Sequence, residues 1–135
     1  MYSKIVKEDL DQIHSTIKFR GNWNNAIVTV TGCAGFLGFY IINYLVRHGS
    51  ELGIKKIIAL DNFQLGKPEW LNQLVNDFTS LLVLKSFDIS RDDITQLEFI
   101  SDTRYVIHGA SIASPTFYRK FQLLAFLIPH LFYPL

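Results

Sequence analysis

The chain alternates between short, continuous apolar runs and longer segments in which apolar residues recur at helical spacing. The runs are rich in β-branched and aliphatic residues, which is typical of strands in a parallel sheet covered on both faces. They occupy residues 26–31, 56–60, 81–84 and 105–108. Because segments of helical character separate them, the sequence predicts βαβ units and an α/β fold.

The helical segments are predicted from apolar spacing, capping residues and proline positions. Leu10, Ile13 and Ile17 fall on one face of an amphipathic helix over about 3–20. Pro68 suits the first turn of a later helix, and the spacing of Ser90 to Asp93 resembles a capping box. The other predicted helices span 36–47, closed by 48–50, then 68–76, and a short segment through about residue 99.

Composition narrows the class of protein. The chain has 135 residues, of which 49% are hydrophobic, and a formal net charge of +1. These values predict one packed domain without a basic surface for nucleic acid. Cys33 is the single cysteine, which excludes an internal disulfide framework. The amino terminus lacks the apolar core of a secretory signal, so we expect a cytoplasmic globular protein without a membrane partner.

A glycine-rich segment follows the first predicted strand and opens the next helix. It reads Thr31-Gly32-Cys33-Ala34-Gly35-Phe36-Leu37-Gly38. Gly32 allows a sharp turn, Gly35 allows backbone N–H groups to approach a pyrophosphate, and Gly38 allows close packing of helix on sheet. The positive end of the helix then favours phosphate. A glycine-rich turn of this kind also forms without a ligand, and that alternative stays open on spacing alone.

An acidic residue ends the second predicted strand, about 20 residues beyond the glycines. Asp61 stands where a carboxylate accepts hydrogen bonds from an adenosine ribose. A carboxylate there also repels a 2′-phosphate, so NAD is favoured over NADP. Taken alone, Asp61-Asn62 could be a simple turn, but the pair and the glycine segment together favour a dinucleotide site.

Four segments resemble the extended short-chain dehydrogenase/reductases, the NAD-dependent nucleotide-sugar epimerases, dehydratases and decarboxylases. They are 31–38, 61–67, 88–89 and 108–115, in the order in which the family has them. The segment 61–67 resembles that of UDP-glucuronate decarboxylases, and Tyr118 stands at a position like that of a tyrosine in those enzymes. The stretch His108-Gly109-Ala110-Ser111-Ile112-Ala113-Ser114-Pro115 resembles the one that follows the fourth strand in the family. The resemblance covers about 27–120, and Gly109 departs from the leucine or alanine frequent in the family.

The resemblance implies a Rossmann-like, doubly wound parallel sheet, incomplete at about four strands in the order 3-2-1-4. An NAD-binding half-domain is expected over 26–120, after an amino-terminal helix and turn over 1–25. The implied cofactor-binding residues are Gly32, Gly35, Phe36, Leu37, Gly38, Asp61, Asn62, Phe63, Gly66, Asp88, Ile89, Ala110 and Ser111. Residues that would meet a substrate, with a UDP-sugar favoured, are Ser114, Pro115 and Tyr118. A homodimer is expected by family analogy.

The catalytic pair of the family is missing from this sequence. In the family, a Tyr-x-x-x-Lys pair supplies a phenol whose pKa is lowered by the lysine, so that it acts as general acid or base. No tyrosine here has a lysine four residues on, and Ser111 and Ser114 do not match the catalytic serine. We therefore expect an NAD-binding portion of an enzyme, inactive in isolation. The alternatives are a non-catalytic dinucleotide-binding module or pseudoenzyme, and a fragment that folds only with a partner.

The last segment, 121–135, has no charged residue and contains two of the four prolines. Its apolar run is too short to span a bilayer. Three interpretations are open. The segment covers the edge of the fourth strand or a sheet face, contacts a partner, or marks a truncated or frame-shifted reading frame, and the last is favoured because the family pattern stops after Lys120.

The histidines and the cysteine are assigned no chemistry. His14, His48, His108 and His130 are scattered along the sequence, which argues against a zinc site. A hydrogen-bonded structural role is favoured for His108. Cys33 stands at a helix amino terminus, which could lower its pKa, but a small residue in a tight turn is the favoured interpretation.

Overall fold

The computed structural model describes residues 4–17 and 21–111, so the predicted tail 121–135 lies outside the described residues. The helices are α1 (Lys4–Thr16), α2 (Phe36–Leu52) and α3 (Glu69–Asp77), and the strands are β1 (Ile27–Thr31), β2 (Lys56–Asp61), β3 (Leu82–Ser86) and β4 (Thr103–His108). Two 3-10 turns, Ile94–Gln96 and Ile100–Asp102, precede β4. None of these helices is long and apolar enough to cross a membrane.

The strands form one parallel sheet in the order β3-β2-β1-β4, which confirms the predicted Rossmann-like fold and strand order. Thr31 at the end of β1 pairs with Leu60 on one side and with His108 on the other. Asp61 pairs with Ser86 at the end of β3. The carboxyl ends of the strands therefore meet at one edge, and the strand order reverses between β1 and β4.

Apolar side chains pack on both faces of the sheet, which explains why the strands lack an apolar–polar alternation. All five residues of β1 are buried. The larger cluster lies under α2 and α3, and includes Val28, Val30, Ile42, Leu45, Ile57, Ala59 and Leu71. A smaller cluster on the opposite face contains Ile27, Ile58, Leu60 and Phe87, and the partly buried Ile89, Ile94, Leu97 and Phe99 pack against it.

The end of α2 differs from the prediction. The helix does not close at 48–50 but continues to Leu52 and ends at Gly53, whose φ of 74° is left-handed. Gly49 is buried inside the helix, and a Cβ there would lie 3.1 Å from the Leu81 side chain. Tertiary packing, which a local pattern does not reveal, therefore gives this glycine a place in the helix interior.

The predicted short helix behind Ser90 is also wrong. The Ser90 N–H and hydroxyl both donate to Asp88 Oδ1, so Ser90 closes a turn and caps no helix. Asp93 caps instead, since its Oδ1 accepts from the Thr95 N–H at 2.9 Å. Phe99, in the left-handed region at φ 67°, separates the two 3-10 turns.

Helix α1 is shorter than predicted. Leu10 on the predicted apolar face is fully buried, but Ile17 lies beyond the helix end and is 44% exposed. The Ser15 and Thr16 hydroxyls both donate to the Gln12 carbonyl, an alternative to backbone bonding that disfavours continuation of a helix.

Candidate functional site at the carboxyl edge of the sheet

The loops that follow the four strands all leave from the same edge of the sheet. The glycine segment joins β1 to α2, and the Gly109-Ala110 backbone follows β4 on the neighbouring strand. The strand order reverses between these two strands. In open α/β sheets, ligands bind at this kind of reversal, outside the carboxyl ends of the strands.

Two glycines of the segment are required by the protein's own backbone. Gly32 has a φ of 70°, and a Cβ there would lie 2.5 Å from the Ala110 nitrogen and the Gly109 carbonyl carbon. A Cβ at Gly38 would collide with the carbonyl oxygens of Gly32 and Cys33. The loop after β1 therefore touches the loop after β4, and the first turn of α2 rests directly on the glycine segment.

Gly35 is different, because protein packing does not require a glycine there. It is exposed, its φ of −78° suits any residue, and the nearest atom to an added Cβ is the Gly32 carbonyl oxygen at 3.4 Å. It is also the N-cap of α2, and no side chain caps this end. The N–H groups of a helix's first turn lack intrahelical partners, so the end of α2 presents donors and a positive dipole to an anion.

Large apolar side chains flank this uncapped end. Phe36 is 80% exposed and Leu37 is 64% exposed. The next residue of the turn, Gly38, is buried. The two side chains thus form an apolar rim on the first turn of α2, beside its N–H groups.

Asp61 links two of the loops. Its Oδ2 accepts from the Ala34 N–H at 3.0 Å, and its Oδ1 accepts from the Phe63 N–H at 2.9 Å. Each carboxylate oxygen has a second lone pair, so further hydroxyl donors can still bind. The carboxylate therefore lies beside the glycine segment, as the spacing predicts, and also holds that segment against the loop after β2.

The loop after β2 is built from two residues in left-handed conformations. Phe63 has a φ of 53° and Gly66 a φ of 95°, with open space around an added Cβ at Gly66. The Asn62 Oδ1 accepts from the Gln64 N–H at 3.1 Å, which starts the turn. Lys67 Nζ lies 5.7 Å from the Phe63 ring centroid, and it places a positive charge close to the same loop.

Asp88 and Ile89 follow β3 and have local structural roles. Asp88 Oδ1 accepts from the Ser90 hydroxyl at 2.6 Å, and this bond is the main cause that lowers the pKa of the Asp88 carboxyl. The Asp88 N–H donates to Asp92 Oδ2. Ile89 packs partly buried against the smaller core cluster. The half-buried Asp88 is thus ionised and held in a turn at the site edge.

The end of β4 is bound to the end of β1 through one threonine. Thr31 Oγ1 lies 2.7 Å from His108 Nδ1 and accepts from the Ala110 N–H at 3.3 Å. Its carbonyl accepts from the Gly109 N–H at 2.9 Å. The structural role expected for His108 is confirmed, and Ser111 beside it is exposed. The expected substrate residues Ser114, Pro115 and Tyr118 lie outside the described residues.

Cys33 points away from the loop surface. Its side chain is fully buried in the larger core cluster. Burial, with the nearby Asp61 charge, raises the pKa of the Cys33 thiol to about 12. The lowered pKa considered from its place at a helix amino terminus is therefore wrong, and the small-residue interpretation holds.

Sequence reasoning did not include Thr31 or Lys67 among the site residues. Thr31 precedes the first glycine of the motif, and its side chain fastens the two strands where the order reverses. Lys67 ends the segment 61–67, and its positive charge opposes the rise in the pKa of the Cys33 thiol. Both residues lie inside the motif segments 31–38 and 61–67, so their place in these motifs could have marked them as site residues.

Comparison with known proteins places the chain near one group of enzymes. No protein-family profile matches it. It is 30% identical over 92 residues to UDP-glucuronic acid decarboxylase 1 of Arabidopsis thaliana, which covers 68% of this chain and 18% of that protein. It is 27% identical over 96 residues to UDP-glucuronic acid decarboxylase 6 of the same plant, covering 71% and 24%. The chain thus spans about a quarter or less of these relatives, and it is distantly related to UDP-glucuronic acid decarboxylases.

Proposed function

We propose that the chain is the NAD-binding part of a nucleotide-sugar-modifying enzyme and that the isolated chain is inactive. The observation that carries the proposal is the uncapped amino end of α2 behind an open, exposed Gly35. Protein packing does not require a glycine there, which leaves room for a group that approaches the backbone closely. The relatives' action on a UDP-sugar supports the choice of substrate class.

The proposed cofactor-binding residues divide by the part of NAD that each would hold. The glycine segment and the first turn of α2 would hold the pyrophosphate, with Phe36 and Leu37 at its rim. Asp61 would accept from the adenosine ribose and repel a 2′-phosphate, next to Asn62, Phe63 and Gly66. Asp88 and Ile89 would border the adenine, whereas Ala110 and Ser111 would face the cofactor at β4. When bound, NAD supplies a hydride acceptor for a sugar carbon.

Inactivity of the isolated chain follows from its missing general base. The Tyr-x-x-x-Lys pair is absent from the sequence, so no phenol of lowered pKa is available to take a proton from a sugar hydroxyl. We propose that Ser114, Pro115 and Tyr118 border the sugar without replacing that base. NAD binding is therefore expected without conversion of the sugar.

A thermal-shift titration of the full chain with NAD and NADP tests the binding proposal. NAD at roughly 100 times its Kd should stabilise the fold by about 2.7 kcal/mol, and NADP should stabilise it less. The variant Gly35→Ser should weaken NAD binding without destabilising the fold. A serine N-cap in place of glycine stabilises a helix by only about 0.3 kcal/mol, but its side chain occupies an N–H group that phosphate would use. NAD affinity should then fall by about tenfold or more, corresponding to a lost charged hydrogen bond.

Ser50→Ala, an exposed change at the other end of α2, is the control and should leave NAD affinity unchanged. Equal NAD affinity in Gly35→Ser and the unaltered chain would contradict the pyrophosphate assignment. Incubation of the chain with NAD and UDP-glucuronate should give no product. Measured conversion would overturn the proposed inactivity and leave the binding proposal standing.

A further inference from the structure

Three metal-ligating side chains meet where α1 crosses α2, away from the glycine segment. They are His14 on α1 and His48 and Glu51 on α2, and one ligand atom from each lies within 4.8 Å of the others. Sequence reasoning set a zinc site aside because the histidines are scattered, and the packing of α1 on α2 overturns that reasoning. The sequence shows only the three-residue spacing of His48 and Glu51, which places these two side chains on one face of a helix.

Each imidazole lies near a different oxygen of the Glu51 carboxylate, at a separation close to that between two ligands of one small cation. His14 Nε2 lies 3.3 Å from Glu51 Oε1, and His48 Nδ1 lies 3.6 Å from Glu51 Oε2. In a tetrahedral zinc site with bonds of about 2.1 Å, ligand atoms are roughly 3.4 Å apart. Two imidazoles and one carboxylate are also a donor set that zinc uses when its fourth position holds water.

Further polar groups surround the three ligand side chains. His14 Nδ1 lies 3.2 Å from the Tyr44 hydroxyl. The nearby Arg47 guanidinium is neutralised by Asp11, whose Oδ1 lies 2.8 Å from Nη2.

We propose that His14, His48 and Glu51 form a site for Zn²⁺ or a similar transition-metal ion that clamps α1 onto α2. The two imidazole rings stack 3.8 Å apart at an angle of 3°. Lone pairs lie in the ring planes, so the more exposed His14 ring has to turn to share an ion with His48. The site is independent of NAD binding because it lies on the carboxyl-terminal half of α2.

Cobalt titration of the untagged, chelator-treated chain tests the site, with visible absorption as the readout. One Co²⁺ per chain should bind with the intense absorption of four-coordinate cobalt, and Zn²⁺ should displace it. Glu51→Gln and His14→Gln should each weaken binding by about tenfold or more. Both side chains are partly exposed, so the variants should fold, which circular dichroism checks. In addition, Zn²⁺ should shift the NMR signals of the His14 and His48 rings.

Glu8→Gln is the matched control, since it removes an exposed carboxylate from α1 and spares the three ligands and the pair of Asp11 with Arg47. Its cobalt affinity should match that of the unaltered chain. Absence of four-coordinate absorption at millimolar Co²⁺ would overturn the proposal. Retained affinity in both ligand variants, or equal loss in Glu8→Gln and Glu51→Gln, would overturn it as well, because the ion would then be held elsewhere or by general negative charge.

Discussion

The two ends of α2 make contact with the rest of the fold in different ways. At the amino end, Gly38 packs directly on the carbonyl oxygens of Gly32 and Cys33, so backbone meets backbone. Near the carboxyl end, Gly49 meets the flexible side chain of Leu81 and His48 stacks on another imidazole. Side chains can rotate to admit a change, whereas packed backbone cannot. Gly38 at the amino end should therefore be intolerant of substitution, whereas the side-chain contacts of Gly49 and His48 should be adjustable.

The largest expected effect tests the packed backbone before the amino end of α2. Gly32→Ala combines a left-handed φ with a Cβ placed 2.5 Å from the Gly109-Ala110 backbone, so it should lower the free energy of unfolding by about 4 kcal/mol. Gly66→Ala has a left-handed φ but open space, and should cost about 1 kcal/mol. Urea unfolding measures both. Equal losses would mean that the loops after β1 and β4 are not in close contact.

A smaller loss is expected where α1 meets α2. Leu10 is fully buried, so Leu10→Ala should cost about 3 kcal/mol by removing packed methyl groups. The change should release α1 while the Phe39 N–H, which donates to the Gly35 carbonyl, stays protected in hydrogen exchange. Ile5→Ala, at a side chain that is 68% exposed, is the control and should cost less than about 0.5 kcal/mol. If Leu10→Ala deprotected both ends of α2 alike, the contrast between them would fail.

The smallest expected effect is a pH dependence of the free energy of unfolding that arises from His108, near the amino end of α2. Burial lowers the pKa of His108 below its usual 6.5, so protonation favours the unfolded chain. The contribution of this histidine to stability is complete above pH 6.5 and is lost as the pH falls from there through the folded pKa. His108→Asn keeps a polar atom near Thr31 and removes the titration. Its stability deficit at pH 7 should narrow by pH 5 in urea unfolding, and a constant deficit would contradict the assignment.

Sequence reasoning reached the parts of this fold that local patterns determine. Strands buried on both faces appear as apolar runs, and helices between them indicate parallel pairing, so the α/β class was predictable from the pattern, whereas the order β3-β2-β1-β4 came from the family resemblance. The strict need for glycine at Gly32 and Gly38 was also predictable, because a tight strand-to-helix turn leaves no room for a Cβ. The contacts proposed for NAD at these positions stay predictions.

What sequence reasoning missed depends on contacts between distant segments. Gly49 looked like a helix stop because its contact with Leu81 is invisible in a local window. His14 and Glu51 are 37 residues apart, and only the packing of α1 on α2 brings them together. The supposed helix after Ser90 failed for a local reason, since Asp88 competes for the serine hydroxyl that the helix would use.

Asp61 has a thermodynamic consequence for any ligand at the sheet edge. Its two oxygens accept hydrogen bonds from the Ala34 and Phe63 N–H groups, so the loops after β1 and β2 are held in place before a ligand binds. A preorganised loop loses little conformational entropy on association. Calorimetry should then record a heat-capacity change that reflects the surface covered by the ligand, without the larger change that accompanies coupled folding.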